Sequence, residues 1–295
     1  MTFSGVFAPL PTPFGDDDQV DVARLRAALA RWVATPLTGF IVLGSNGEAV
    51  LLDEEEADRV VAAARDEVPR GRPLIVGTGR ESTGAAIRAS KRAASLGADA
   101  VIVRTPGFFR SQMTCDAFVR HYTAVADASP VPILLYNFTA VTGVDLPVAA
   151  ALRLAEHPNV VGMKESNGDI GKVAELASSA PPSFQVLTGS TTVLYAALSV
   201  GAVGGILAVS GLLPDACVRL FEMTKAGRHG DALALQRRLA PIARLLGPVY
   251  GVPGLKAALS LEGYDVGGPR PPLVPLPEAD RTVLREAIAR FHRHA

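Results

Sequence analysis

Lys164 closes the run "NVVGMK", an apolar stretch where an ammonium is out of place, because burying one unpaired costs several kcal/mol. The chain has five lysines against twenty-four arginines, and Lys91, Lys172, Lys225 and Lys256 all lie in segments with helical spacing. Lys164 alone ends a strand-like run, and that makes it a candidate nucleophile. Only about one lysine amine in a few thousand is neutral in water at pH 7, but desolvation by about 3 pKa units, roughly 4 kcal/mol, turns an ammonium into an amine that attacks carbonyls. Arginine is too basic for that part. The competing reading is an ion pair with Glu165 or Asp169, and Glu165 has the opposite strand parity.

Two further motifs offer partners. Tyr136 ends "VPILLY", the run before that of Lys164, and by its parity with Leu134 its phenol faces the same interior, where it can pass a proton to or from an oxygen. Taken alone, a buried tyrosine capping a core is the better reading. In "VLGSNGEAV", Ser45 and Asn46 lie between glycines that permit a tight turn, so a hydroxyl, an amide and backbone N–H groups can converge on a carboxylate. A phosphate cradle is the alternative, although the lysine of a P-loop is missing.

Other charged residues are less telling. Arg104 interrupts "ADAVIVRTP"; if Thr105 faces the interior, Arg104 faces outward and is a structural ion pair rather than a partner for a second substrate carboxylate. Arg110 is a second candidate for that carboxylate. His121, His157, His229, His292 and His294 show no ligand spacing and read as surface residues, so no metal is called for. "IVGTGRES" offers only GxG, too little for a nucleotide site.

The elements that must position these residues come from alternation. The runs "GVFAPL", "GFIVLG", "PLIVGT", "ADAVIVRTP", "VPILLY", "NVVGMK", "FQVLTGS" and "GGILAVS" are separated by Ala-, Arg- and Glu-rich segments of helical spacing. They lack polar alternation, as parallel strands covered on both faces do. Eight such units in series predict an α/β fold, a (β/α)8 TIM barrel, over 1–211. The remainder, 212–295, reads as the final barrel helix and a C-terminal helical extension packed on the barrel. Active groups in such barrels gather at the C-terminal strand ends. With a period of two, Val160, Gly162 and Lys164 share one face and Val161 and Met163 the other; helices against the second face put Lys164 in the barrel mouth.

Composition narrows the class. A formal net charge of zero gives no footprint for nucleic acid or an anionic membrane, and no unbroken run of about 18 apolar residues is present. Cys115 and Cys217 lie in helical segments without metal or redox spacing, which reads as reduced thiols and a cytoplasmic setting.

Taken in order, "GSNGEA", "LLYNFTAVTGVDLP", "HPNVVGMKES", "FQVLTGS", "GAVGG" and "YGVPGLKAAL" resemble the dihydrodipicolinate synthase and N-acetylneuraminate lyase family of class I aldolases, over nearly the whole chain. The resemblance implies a barrel with a C-terminal helical region, assembled as a homotetramer from two tight dimers. It implies that Lys164 forms a Schiff base with pyruvate or a related 2-oxo acid and that Tyr136 donates and accepts protons. It implies that Ser45 and Asn46 hold the pyruvate carboxylate and relay protons, and that the backbone of Ile206 touches pyruvate. No cofactor is implied.

The departures matter as well. Val141 stands where the synthases carry an arginine for the aspartate semialdehyde carboxylate, and losing that partner weakens binding substantially. Phe108 stands where many members place a tyrosine that crosses the dimer interface, and a phenyl ring carries no proton. "GSN" replaces paired threonines and is similar to 4-hydroxy-2-oxoglutarate aldolases, as are "HPNVVGMK", "FQVLTGS" and "GVPGLK". The leading expectation is therefore a lyase that cleaves a 4-hydroxy-2-oxo acid to pyruvate and an aldehyde. A dihydrodipicolinate synthase, and a noncatalytic 2-oxo acid binding protein, are the alternatives.

Overall fold

The computed structural model describes residues 2–293. Eight strands, β1 (Gly5–Pro9), β2 (Gly39–Val42), β3 (Leu74–Gly77), β4 (Ala100–Arg104), β5 (Ile133–Asn137), β6 (Val160–Glu165), β7 (Gln185–Thr188) and β8 (Gly204–Ile206), pair in parallel, each with the next. Strand β8 returns to β1, with Phe7 opposite Ile206, so the sheet closes and has no edge. Every expected run supplies one strand. The last is the shortest, because "AVSG" at 208–211 turns into a 3-10 helix rather than extending it.

Helices α1 (Val22–Val33), α2 (Glu54–Glu67), α3 (Thr83–Ser95), α4 (Cys115–Ala128), α5 (Thr139–Thr142), α6 (Val148–Ala155), α7 (Ile170–Ser179), α8 (Leu194–Ser199) and α9 (Pro214–Lys225) follow the strands in turn. Their starts are written locally. Asp21, Ser82, Thr114 and Asp169 each accept a backbone N–H of the first turn, and Asp53 forms a reciprocal capping box with Glu56. Beyond the barrel, α10 (His229–Arg244), a π-helical turn (Leu245–Val249), α11 (Gly251–Leu261) and α12 (Glu278–Arg293) pack as a helical layer that buries Leu239, Leu259, Leu284 and Ile288. Among the described residues, no helix is long and apolar enough to cross a membrane.

The core has two parts. Phe3, Phe7, Ile41, Ile75, Ile102, Leu134, Leu187 and Ile206 fill the barrel, while a larger cluster lies between the sheet and the helices. Each fully buried Leu, Ile or Phe contributes about 1.5–3 kcal/mol relative to exposure. Strict alternation fails at one place. The β5–β6 register shifts between Ile133 and Leu134, which pair with Val160 and Gly162 and leave Val161 as an extra residue. Val161 consequently packs against the barrel interior and Val160 against the helices, the reverse of the sequence expectation. Met163 does face the helices, so the phase is restored before Lys164.

Candidate active site

Strands β5 and β6 place Tyr136 directly opposite Lys164, and β7 places Leu187 on its other side. Both polar side chains are buried in the barrel mouth, Tyr136 at 5% and Lys164 at 7% exposure. Lys164 Nζ stands 4.4 Å from the centre of the Tyr136 ring. Among the described residues no carboxylate comes within 4.0 Å of it.

That absence of a counter-ion separates Lys164 from the other buried lysines, and burial alone does not. Lys172 Nζ is 2.8 Å from Asp145 and 3.6 Å from Glu165, and Lys256 Nζ is 2.7 Å from Glu48. Both carboxylates near Lys164 in sequence are engaged elsewhere. Glu165, fully buried on the outer face of β6, accepts from Asn137 Nδ2 and from the backbone N–H of Asn167. Burial pushes its carboxyl above the usual range, and the Asn137 and Asn167 hydrogen bonds oppose that rise. Asp169 caps α7.

The turn after β2 brings the third partner. Ser45 Oγ and the Tyr136 hydroxyl are 3.1 Å apart, with either able to donate. Gly47 N–H closes the turn on Gly44 O at 3.1 Å, and the backbone N–H groups of Ser45 and Asn46 within it have no protein acceptor among the described residues. The Asn46 side chain takes another direction and donates to Pro9 O at the end of β1. Two residues bracketing the turn, Leu43 (φ 56°) and Glu48 (φ 54°), are left-handed without being glycine, a conformation costing about 1–3 kcal/mol each that surrounding structure must hold. Ile206 is fully buried in the barrel interior at the end of β8.

Some expectations need correction. Arg104 pairs in register with Tyr136 and so shares its strand face, contrary to the parity argument; its side chain nevertheless turns along the strand ends into the expected ion pair, 2.7 Å from Glu81. His121 is buried, not a surface residue: Nδ1 is 2.9 Å from Thr83 Oγ1, Nε2 has no partner among the described residues, and burial lowers its pKa to about 4. His157, His229 and His292 are more open, and His294 lies outside the described residues. Arg110 is exposed and packs against Gly143, where a Cβ would come within 2.6 Å of its Cζ. Phe108 and Phe109 project from the loop after β4, and Val141 is 56% exposed after β5.

Two residues escaped the sequence reading. Ser166 Oγ is buried without a hydrogen-bond partner among the described residues; its parity with Lys164 was the available signal. Gly189 has no Cβ because one would lie 1.8 Å from Ser166 Oγ and 2.8 Å from Lys164 Cε. Nothing in "LTGS" alone announces that contact.

With this geometry the relatives can be compared. The sequence profile of the "Dihydrodipicolinate synthetase family" matches residues 2–291. The chain is 36% identical over 292 residues to a 4-hydroxy-tetrahydrodipicolinate synthase of Exiguobacterium sp. (strain ATCC BAA-1283 / AT1b), covering 98% of each chain. It is 37% identical over 291 residues to a probable mitochondrial 4-hydroxy-2-oxoglutarate aldolase of Emericella nidulans, covering 97% of this chain and 94% of that one. A pyruvate complex of the dihydrodipicolinate synthase of Acinetobacter baumannii superimposes with a TM-score of 0.94 at 31% identity, over 99% of each chain. The chain belongs to the dihydrodipicolinate synthetase family and is a carbon–carbon lyase of the Schiff-base-forming class.

Proposed function

We propose that this enzyme cleaves a 4-hydroxy-2-oxo acid of the 4-hydroxy-2-oxoglutarate type, releasing pyruvate and an aldehyde such as glyoxylate. The observation that carries the reading is Lys164, buried beside Tyr136 with no carboxylate of the described residues within 4.0 Å. A lysine so placed is not held in an ion pair and is free to meet a carbonyl carbon.

In this mechanism Lys164 Nζ attacks C2 of the substrate, and loss of water gives a protonated imine. Tyr136, directly or through a water, takes the proton of the C4 hydroxyl. The C3–C4 bond breaks, its electron pair enters the imine to form an enamine, and the aldehyde departs. Protonation at C3 and hydrolysis release pyruvate and restore the amine. Ser45 keeps the Tyr136 hydroxyl in place and extends its proton path. The N–H groups of Ser45 and Asn46 hold the substrate's 1-carboxylate, and the backbone at Ile206 lies against the bound 2-oxo acid. The side-chain amide of Asn46, bonded to Pro9 O, is a support for the turn in this scheme.

A synthase joining pyruvate to aspartate semialdehyde is the second reading, favoured by the names of relatives such as the Exiguobacterium protein. Against it stands the exposed Val141, which has nothing to offer a second carboxylate. The family likeness also leads us to propose a homotetramer built from two dimers, working in the cytoplasm.

Borohydride reduction with pyruvate, followed by peptide mapping, tests the imine, and substrate assays test the specificity. A pyruvate adduct on Lys164, with pyruvate release from 4-hydroxy-2-oxoglutarate exceeding condensation with aspartate semialdehyde, supports the reading. A folded protein that forms no adduct refutes the mechanism, and adduct without turnover of either substrate points to a binding protein.

A further inference from the structure

A buried ion pair unused by the mechanism lies behind the Ser45–Asn46 turn. Glu48 is 2% exposed, in the left-handed conformation, and its own backbone N–H donates to Ser45 O at 3.1 Å. Its Oε1 is 2.7 Å from Lys256 Nζ on α11, a close approach that is poorly aligned for a hydrogen bond. Its Oε2 accepts the Arg270 N–H at 2.8 Å. Lys256 in turn donates to Gly268 O at 2.7 Å, and both Lys256 Nζ and the Arg270 guanidinium stand 4.3 Å from the Phe14 ring centre. On the other side, Thr12 Oγ1 donates to Gly47 O at 2.6 Å.

A non-glycine residue keeps a left-handed backbone only where its surroundings over-determine it. Here the Glu48 side chain, held by Lys256 and the Arg270 N–H, is a constraint of that kind. Because Glu48 N–H is bonded to Ser45 O, any movement out of that region also rotates the peptide units that present the N–H groups of Ser45 and Asn46. The carboxylate cradle and the helical extension are 208 positions apart from Glu48 to Lys256 in sequence, yet one ion pair joins them.

We propose that Glu48 and Lys256 are positioning residues for the carboxylate subsite, through which the C-terminal helix α11 fixes the N–H groups that receive the substrate's carboxylate. This rests on the reading that those N–H groups bind a 2-oxo acid. A purely structural pair would matter for stability alone, so the test needs a readout that stability does not move.

That readout is the preference for pyruvate over methyl pyruvate, which keeps the ketone but lacks the negative charge. Borohydride trapping across a range of each compound gives the half-saturating concentration for wild type, Glu48→Gln, Lys256→Met and the double variant, with thermal melts alongside. The double variant leaves no buried charge unpaired, so it serves if Lys256→Met alone fails to fold. For folded variants the half-saturating pyruvate concentration should rise about tenfold while that of methyl pyruvate changes little, and the limiting adduct yield should persist. The double variant should recover melting temperature and not the preference. Variants that melt earlier but keep the wild-type preference overturn the proposal. Wild type that forms no adduct overturns the reading beneath it, and the proposal with it.

Discussion

Tyr136 and Lys164 are register partners on adjacent strands, and the amine of one stands over the ring of the other while the phenol points on to Ser45. In the proposed mechanism the arrangement separates two tasks, imine formation at Lys164 and proton transfer at Tyr136. Replacing Tyr136 by Phe should leave a pyruvate adduct trappable on Lys164 and lower retro-aldol turnover by about 10²- to 10⁴-fold. Equal loss of both would assign Tyr136 to imine formation instead; parallel trapping and steady-state assays distinguish them.

Gly189 lies close against Lys164 and leaves no room for a Cβ. A methyl group there overlaps Ser166 Oγ and crowds Lys164 Cε, so Gly189→Ala should displace both and reduce the trapping rate about a hundredfold while the fold survives. Circular dichroism with single-turnover trapping checks this, and an unchanged rate would mean that the loop yields without moving the lysine.

Val141 offers a test of substrate choice. Val141→Arg adds a bidentate carboxylate partner to the loop after β5 at an already exposed position. Condensation of pyruvate with aspartate semialdehyde should increase about ten- to a hundredfold if that loop faces the second substrate. No increase over wild type, measured in the same assay, would remove position 141 as the determinant.

His121 gives a prediction about acid stability. Its folded-state pKa is held near 4, chiefly by burial, with Glu81 opposing, against 6.5 for an exposed histidine. The unfolded chain therefore binds the proton first as pH falls. The stability tied to neutral His121 is complete above about pH 6.5 and is lost progressively between 6.5 and 4, amounting to about 2 kcal/mol by pH 5. Urea unfolding of wild type and His121→Gln at pH 7.5 and 5 should show a smaller difference between the two pH values in the variant. Equal differences would place the acid sensitivity elsewhere.

What could be read from the sequence follows from how local each feature is. Parallel strands covered on both faces are continuous apolar runs, so all eight strands were legible, as was a lysine closing one of the apolar runs. The shared level of Tyr136 and Lys164 followed because each lies at the end of its run. Val161 was misplaced because a bulge is set by the neighbouring strand's register, not by the pattern of its own. His121 looked like one polar residue on a helix, and only the packing of α3 against α4 buries it. Glu48 and Lys256, each unremarkable in its own segment, become a pair only when the chain has closed the barrel and returned.

Strand β6 also acts as a partition for charge. On its outer side Glu165 and Asp145 are occupied with Lys172; on its inner side Lys164 has no carboxylate of the described residues within 4.0 Å. An anionic substrate entering the mouth meets no rival anion of the described residues at that amine, while Glu165, next to it in the chain, faces the opposite way. One pleated backbone thus insulates two lysines eight positions apart, giving one two carboxylate neighbours and the other none among the described residues.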